Sequence, residues 1–121
     1  MTSCKPGSVV EVPFPFMDVA KRKRRPALVL GSIPEAVVLA MITSAKRSAW
    51  PSDVPLVEWE SAGLRAQSVV RLKLFSIEPE LVITTRGELS PRDHAAVRES
   101  IRKHLTRVSH KGHRKGPSFL A

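Results

Sequence analysis

The chain has 121 residues, a length that suits one domain with its own core, and 42% of them are hydrophobic. Its formal net charge of +9 favours an anionic partner such as RNA, DNA, an acidic membrane surface or an acidic protein. Aromatic residues make up only 5%, without a tyrosine, which argues against an aromatic stacking platform of the kind that grips single-stranded bases. The single cysteine, Cys4, excludes an internal disulfide and a cysteine-built metal site, and fits a reducing cytoplasm.

The opening "MTSCKPG" shows no apolar signal segment, and the longest apolar run, Ala36 to Ile42, is too short to cross a bilayer as a helix. No membrane association is expected.

"SVVEVPF", Ser8 to Phe14, reads as a first strand after the turn residues Pro6 and Gly7. The prolines of "PFPFMD" keep the chain extended but weaken its place in a central ladder. Lys21 to Arg25, five consecutive cations, read as a loop. "PALVL" predicts a short buried strand ended by a "GSIPE" turn, and "AVVLAMIT" a central strand rich in β-branched residues. "SAKRSAWPSD" is a polar loop, "VPLVEW" a further strand and "ESAGLRAQS" a turn or loop. In "VVRLKLFSI", Val70, Leu72 and Leu74 alternate on one face, with Arg71 and Lys73 facing away. "ELVITTRGELS" predicts one more short strand and a turn at Gly87.

A helix follows, with Ser90 as N-cap, Pro91 at its first position and Asp93 at its third. Val97, Ile101, Leu105 and Val108 fall on one of its faces. Residues 1–109 form the expected domain, and 110–121 a basic, disordered tail. Short strands, hairpin-length connections and one amphipathic helix predict a mainly β fold, a small curved antiparallel sheet or barrel closed by a C-terminal helix.

The first loop carries five of the twenty cations, and the segment from Arg102 to Lys115 carries six more. Charge runs are usually solvated, but a loop beside a buried strand is also where sites are carried. Thr43 and Ser44 end the central strand with two hydroxyls, as the ordinary preferences of strands and turns also would. His94, His104, His110 and His113 lack zinc-protease spacing, and neither a Walker loop nor a GxGxxG motif occurs, so no metal or cofactor is expected. Read on these terms alone, the sequence describes a basic β-rich domain that binds a polyanion.

"GSVVEVPFPFMDVAKRKRRPALVLGS", "VVLAMITS", "VEWESAGLRAQSVVRLKLFSIEPE" and "RGELSPRD" together resemble the PemK/MazF-like toxin family, in register from about Gly7 to about Leu105. The resemblance implies a small SH3-like antiparallel barrel with a C-terminal helix, a homodimer, and the toxin of a type II toxin–antitoxin pair. It implies a metal-independent endoribonuclease that cuts single-stranded RNA, typically mRNA, in the cytoplasm. A cognate antitoxin would block the RNA groove with an acidic segment, and operator DNA would be reached only through that antitoxin.

The family's two key positions match Arg25, before the proline of the second strand, and Thr43, at the end of the central strand. These are the expected catalytic residues. Arg25 stabilises the phosphate, Thr43 donates a hydrogen bond in the transition state, and the RNA's own 2′-OH attacks to leave a 2′,3′-cyclic phosphate and a 5′-OH. Lys21, Arg22, Lys23 and Arg24 are expected to draw in RNA, with Ser44 and Ser68 at the groove. Met17 departs from the family pattern, which commonly has threonine there. Two other readings stay open: a non-catalytic nucleic-acid-binding barrel, and a gyrase-poisoning toxin of related shape.

Overall fold

A computed structural model describes residues 4–14 and 23–106, with Phe14 defined in its backbone only. The expectations for Lys21 and Arg22, for Met17, and for the tail and Val108 lie outside the described residues.

The strands are β1 (Ser8–Phe14), β2 (Lys23–Ile33), β3 (Ala36–Ser44), β4 (Val54–Pro55), β5 (Ser68–Ile77) and β6 (Thr84–Glu88), followed by the helix α1 (Pro91–His104). They form one six-stranded sheet in the order β4-β5-β3-β2-β1-β6, antiparallel at every pairing. This is the expected SH3-like architecture, a half-barrel with a C-terminal helix.

The sheet buries apolar side chains on both faces, because strand side chains alternate. Val9, Leu28, Ala40, Ile42, Val70 and Val97 belong to one cluster, against which Ile101 of α1 packs. Val10, Val12, Ala27, Val29, Leu39 and Val82 form the other. The unbroken apolar run in β3 reflects this burial on both sides, except at Val38, which is exposed.

Several boundaries differ from expectation. Lys23 to Arg25 belong to β2 and are not loop, since Lys23 pairs with Phe14, Arg24 with Pro13 and Arg25 with Val12. All three are exposed, so their charge stays solvated while the backbone is in the ladder. At its far end β2 runs through Gly31 and Ser32 to Ile33, because a bulge at Leu30 shifts the register and lets Gly31 pair with Val38. The segment "VPLVEW" contributes only Val54–Pro55 as strand. Beyond it, Val57 and Glu58 give their N–H groups to the Asp93 carboxylate of α1 and not to a ladder.

Gly87 lies inside β6 and makes no turn. It gives room for the 59–64 loop, since a Cβ there would lie 2.8 Å from the Ala62 carbonyl oxygen. In β5, two extra residues enter opposite the Ala40–Met41 step, and Leu74 is left 42% exposed, so the expected Val70–Leu72–Leu74 face holds only at its start. The helix begins as expected, with the Ser90 hydroxyl accepting from the Asp93 N–H. It ends a residue before Leu105, which is extended and 59% exposed, so the apolar face stops at Ile101. Among the described residues no helix is long and apolar enough to cross a membrane.

Candidate active site and nucleic-acid interface

The centre of the expected site is set by where one ladder stops. β2 and β3 are paired up to Ala27↔Met41. The next residue of β2 is Pro26, which has no N–H to give. Arg25 and Thr43 are each two residues beyond that last pair, on the sheet face that carries Ala27 and Met41. Each is held from its other side: Arg25 is paired with Val12 of β1, and Thr43 with Val69 of β5. Arg25 is exposed and Thr43 half-buried. A guanidinium and a hydroxyl therefore project from the same face of two strands whose mutual ladder has just ended.

The other expected RNA-binding residues divide between the faces. Arg24, Ser44 and Ser68 line a cavity of about 430 Å³ together with Glu11, Pro26, Leu64, Arg65, Ala66 and Arg86. This cavity is on the face opposite Arg25 and Thr43, because Arg24 and Ser44 are their immediate chain neighbours in extended strands. Ser68 is only 3% exposed, and its hydroxyl donates to the Ala66 carbonyl at 2.8 Å, so it shapes the cavity wall. Lys23 lines a separate shallow recess of about 370 Å³ with Pro13, residues 80–83 and Arg24, which borders both spaces.

Arg65, Arg86 and Glu11 are additions that the sequence reading missed. Arg86 donates through Nε to the Gly63 carbonyl at 2.8 Å and through its terminal nitrogen to Glu11. Glu11 also lies 3.6 Å from Arg24. The Gly63 approach depends on the glycine: its φ is +83°, and a Cβ would lie 2.5 Å from the Arg86 carbonyl oxygen. Three arginines against one glutamate leave the cavity net positive. The signal in the sequence was Glu11 itself, an acid in the middle of an apolar strand, which requires a partner.

A second ion pair orders the loop that follows Thr43. The Asp53 side chain is fully buried; it accepts from Arg71 Nε at 3.0 Å and Arg71 Nη2 at 2.8 Å. It also accepts the backbone N–H of Ala49 at 2.9 Å and of Trp50 at 3.1 Å. The Arg71 hydrogen bonds outweigh the cost of burial and bring the Asp53 pKa down from 3.8 to about 2. A carboxylate with a depressed folded pKa stabilises the fold above its unfolded value and loses that contribution as pH falls through the folded value. Asp53→Asn is therefore expected to cost about 2 kcal/mol at neutral pH. The gap in melting temperature between wild type and variant should close between pH 4 and pH 2. A gap that stays constant down to pH 2 would contradict this account.

Among the described residues, no three His, Cys, Asp or Glu side chains are grouped to hold a metal ion.

The family described as PemK-like, MazF-like toxin of type II toxin-antitoxin system matches residues 5–105. No curated protein matches the chain. Among solved structures, an endoribonuclease in complex with its cognate antitoxin, from a mycobacterial species, is similar with a TM-score of 0.68 and 16% identity, covering 85% of this chain and 95% of that one. An endoribonuclease from a mycobacterial species has a TM-score of 0.64 and 16% identity, covering 87% and 94%. The Mycobacterium tuberculosis toxin MazF-mt6 has a TM-score of 0.64 and 21% identity, covering 84% and 96%. At these identities the structural likeness speaks for the fold, and the family match speaks for descent: this chain belongs to the PemK-like, MazF-like toxins of type II toxin–antitoxin systems.

Proposed function

We propose that this protein is an endoribonuclease toxin that cuts single-stranded RNA, typically mRNA, at the Arg25–Thr43 face, without a metal. The observation that carries this reading is the placement of a guanidinium and a hydroxyl on one face, at the point where the β2–β3 ladder ends. Two solved structures of the same fold are endoribonucleases, one of them with its antitoxin.

The reaction follows from the chemistry of RNA. The 2′-OH gives up its proton and its oxygen attacks the neighbouring phosphorus. The bond from phosphorus to O5′ breaks, O5′ takes a proton, and the products are a 2′,3′-cyclic phosphate and a 5′-OH. Negative charge builds on the phosphoryl oxygens on the way. Arg25 supplies a planar, charged set of donors for those oxygens, and Thr43 supplies a further donor. The delocalised charge and planar donors of a guanidinium suit Arg25 to stabilising the phosphate before any proton transfer.

Lys21 to Arg24 raise the local concentration of the polyanion. The cavity lined by Arg24, Arg65 and Arg86 has the charge to take RNA phosphates, or the carboxylates of an antitoxin's acidic segment. A cytoplasmic homodimer, with operator DNA contacted only through the antitoxin, completes the reading; exposed Val38 and Leu74 are aliphatic surface that a second copy would cover.

The test is a digest of mixed single-stranded RNA in excess chelator. Cutting should persist there, and DNA of the same sequence should survive, since it lacks the attacking hydroxyl. Loss of cutting that magnesium or zinc restores would overturn the mechanism. RNA binding without cutting would favour the non-catalytic barrel.

A further inference from the structure

Trp50 is 40% exposed, although its own loop is tightly held. The Asp53 carboxylate binds the Trp50 N–H, and the guanidinium carbon of Arg71 lies 5.1 Å from the centre of the indole ring. Burying an acid and partly burying its arginine is costly, and that cost is offset only when the geometry is well satisfied. Here it is satisfied by four hydrogen bonds to one carboxylate. The result is a loop backbone held at Trp50, an indole backed by Arg71, and a residue still partly open to solvent.

Its position matters as much as its rigidity. Arg71 is opposite Met41, and Val69 is opposite Thr43. Arg71 is thus the diagonal neighbour of Thr43 on the same sheet face, a separation of roughly 7–8 Å between backbones. The loop that carries Trp50 begins one residue after Ser44. The other tryptophan, Trp59, packs against the core instead.

We propose that Trp50, backed by Arg71 and clamped by Asp53, is a stacking platform for an unpaired base of single-stranded RNA, beside the Arg25–Thr43 pair. The inference rests on the RNA reading above. A base has a π-face whatever its identity, and stacking on an aromatic side chain contributes about 1–3 kcal/mol per base. The guanidinium, its charge matched by Asp53, supports the indole ring from behind. A chain poor in aromatics thereby obtains one oriented ring where a single base needs to be held.

The experiment uses a 2′-O-methyl RNA of mixed sequence, which binds but offers no attacking hydroxyl, and the full chain with Trp59→Phe so that emission reports Trp50 alone. Titration should quench Trp50 emission. Trp50→Ala should weaken binding about 5- to 150-fold, with Trp50→Phe keeping most of the affinity. Moving one abasic site along the oligonucleotide should reveal one position at which the Trp50→Ala penalty disappears. A purely structural role would not produce that position dependence.

Absent quenching, or a Trp50→Ala penalty equal at every abasic position, would overturn the platform. So would equal quenching by an acidic peptide with no abasic effect, which would make this face a protein surface. Quenching with a unique abasic position, in a protein that never cuts unmodified RNA, would keep the platform and remove the nuclease reading.

Discussion

Arg25→Ala is expected to lower RNA cleavage by about a hundred- to a thousandfold, the usual loss when one preorganised donor to a developing oxyanion is removed. Thr43→Ala should lie at the low end of that range, because its hydroxyl carries no formal charge. Neither change should unfold the protein. Arg25 is exposed at the end of β2, and Thr43 is only half-buried, so neither removes core packing. Arg25→Lys separates two explanations. A lysine restores charge but not the planar fork, so partial recovery is expected if field matters and little recovery if geometry dominates. Initial rates on one labelled RNA, with melting temperatures measured alongside, decide this. Wild-type rates in both alanine variants would remove Arg25 and Thr43 from the site.

The largest stability effect is expected away from that site, at Asp93. It is 1% exposed, and its carboxylate accepts from the Val57 N–H at 3.1 Å and the Glu58 N–H at 2.8 Å. It is also in the first turn of α1, where negative charge meets the positive end of the helix dipole. Asp93→Ala leaves two backbone donors without their acceptor and opens a small void. Hydrogen bonds to a charged group contribute about 1.5–3 kcal/mol each, so a loss of roughly 3–6 kcal/mol is expected for the two. For a domain of this size that lowers the melting temperature by roughly 10 to 30 °C. Asp93→Asn should recover part of it, since one amide oxygen remains to accept. A shift of only a degree or two in Asp93→Ala would show that the 57–58 segment is held by other means.

These two sites differ in how far the sequence disclosed them. The Ser90–Pro91–Asp93 start of α1 is local grammar, and the cap appears as expected. The second duty of Asp93, holding a segment about 35 residues away, is a tertiary fact with no local signal. The same division runs through the sheet. β1 was legible because its apolar residues and its turn are contiguous. The start of β2 is hidden at Lys23–Arg25 because a run of charge signals a loop, whereas strand pairing is made by backbone and leaves exposed side chains free to be charged.

The Arg25–Thr43 pair came from family resemblance, and its placement on one face follows from register, which no single strand encodes. The Glu11–Arg86 contact likewise depends on β1 pairing with β6 across the whole chain. The low aromatic content argues against a stacking platform, but a count says nothing about where one ring is placed.

The most direct test of the central claim is the chemistry of the RNA ends. Wild-type protein, in chelator, should leave a 2′,3′-cyclic phosphate on the upstream fragment and a 5′-OH on the downstream one, as read by mass spectrometry. A single 2′-deoxy substitution at the cut position should abolish cutting there, because the attacking group is gone. Fragments ending in 3′-OH and 5′-phosphate, still formed from the 2′-deoxy substrate, would show attack by water and contradict the account.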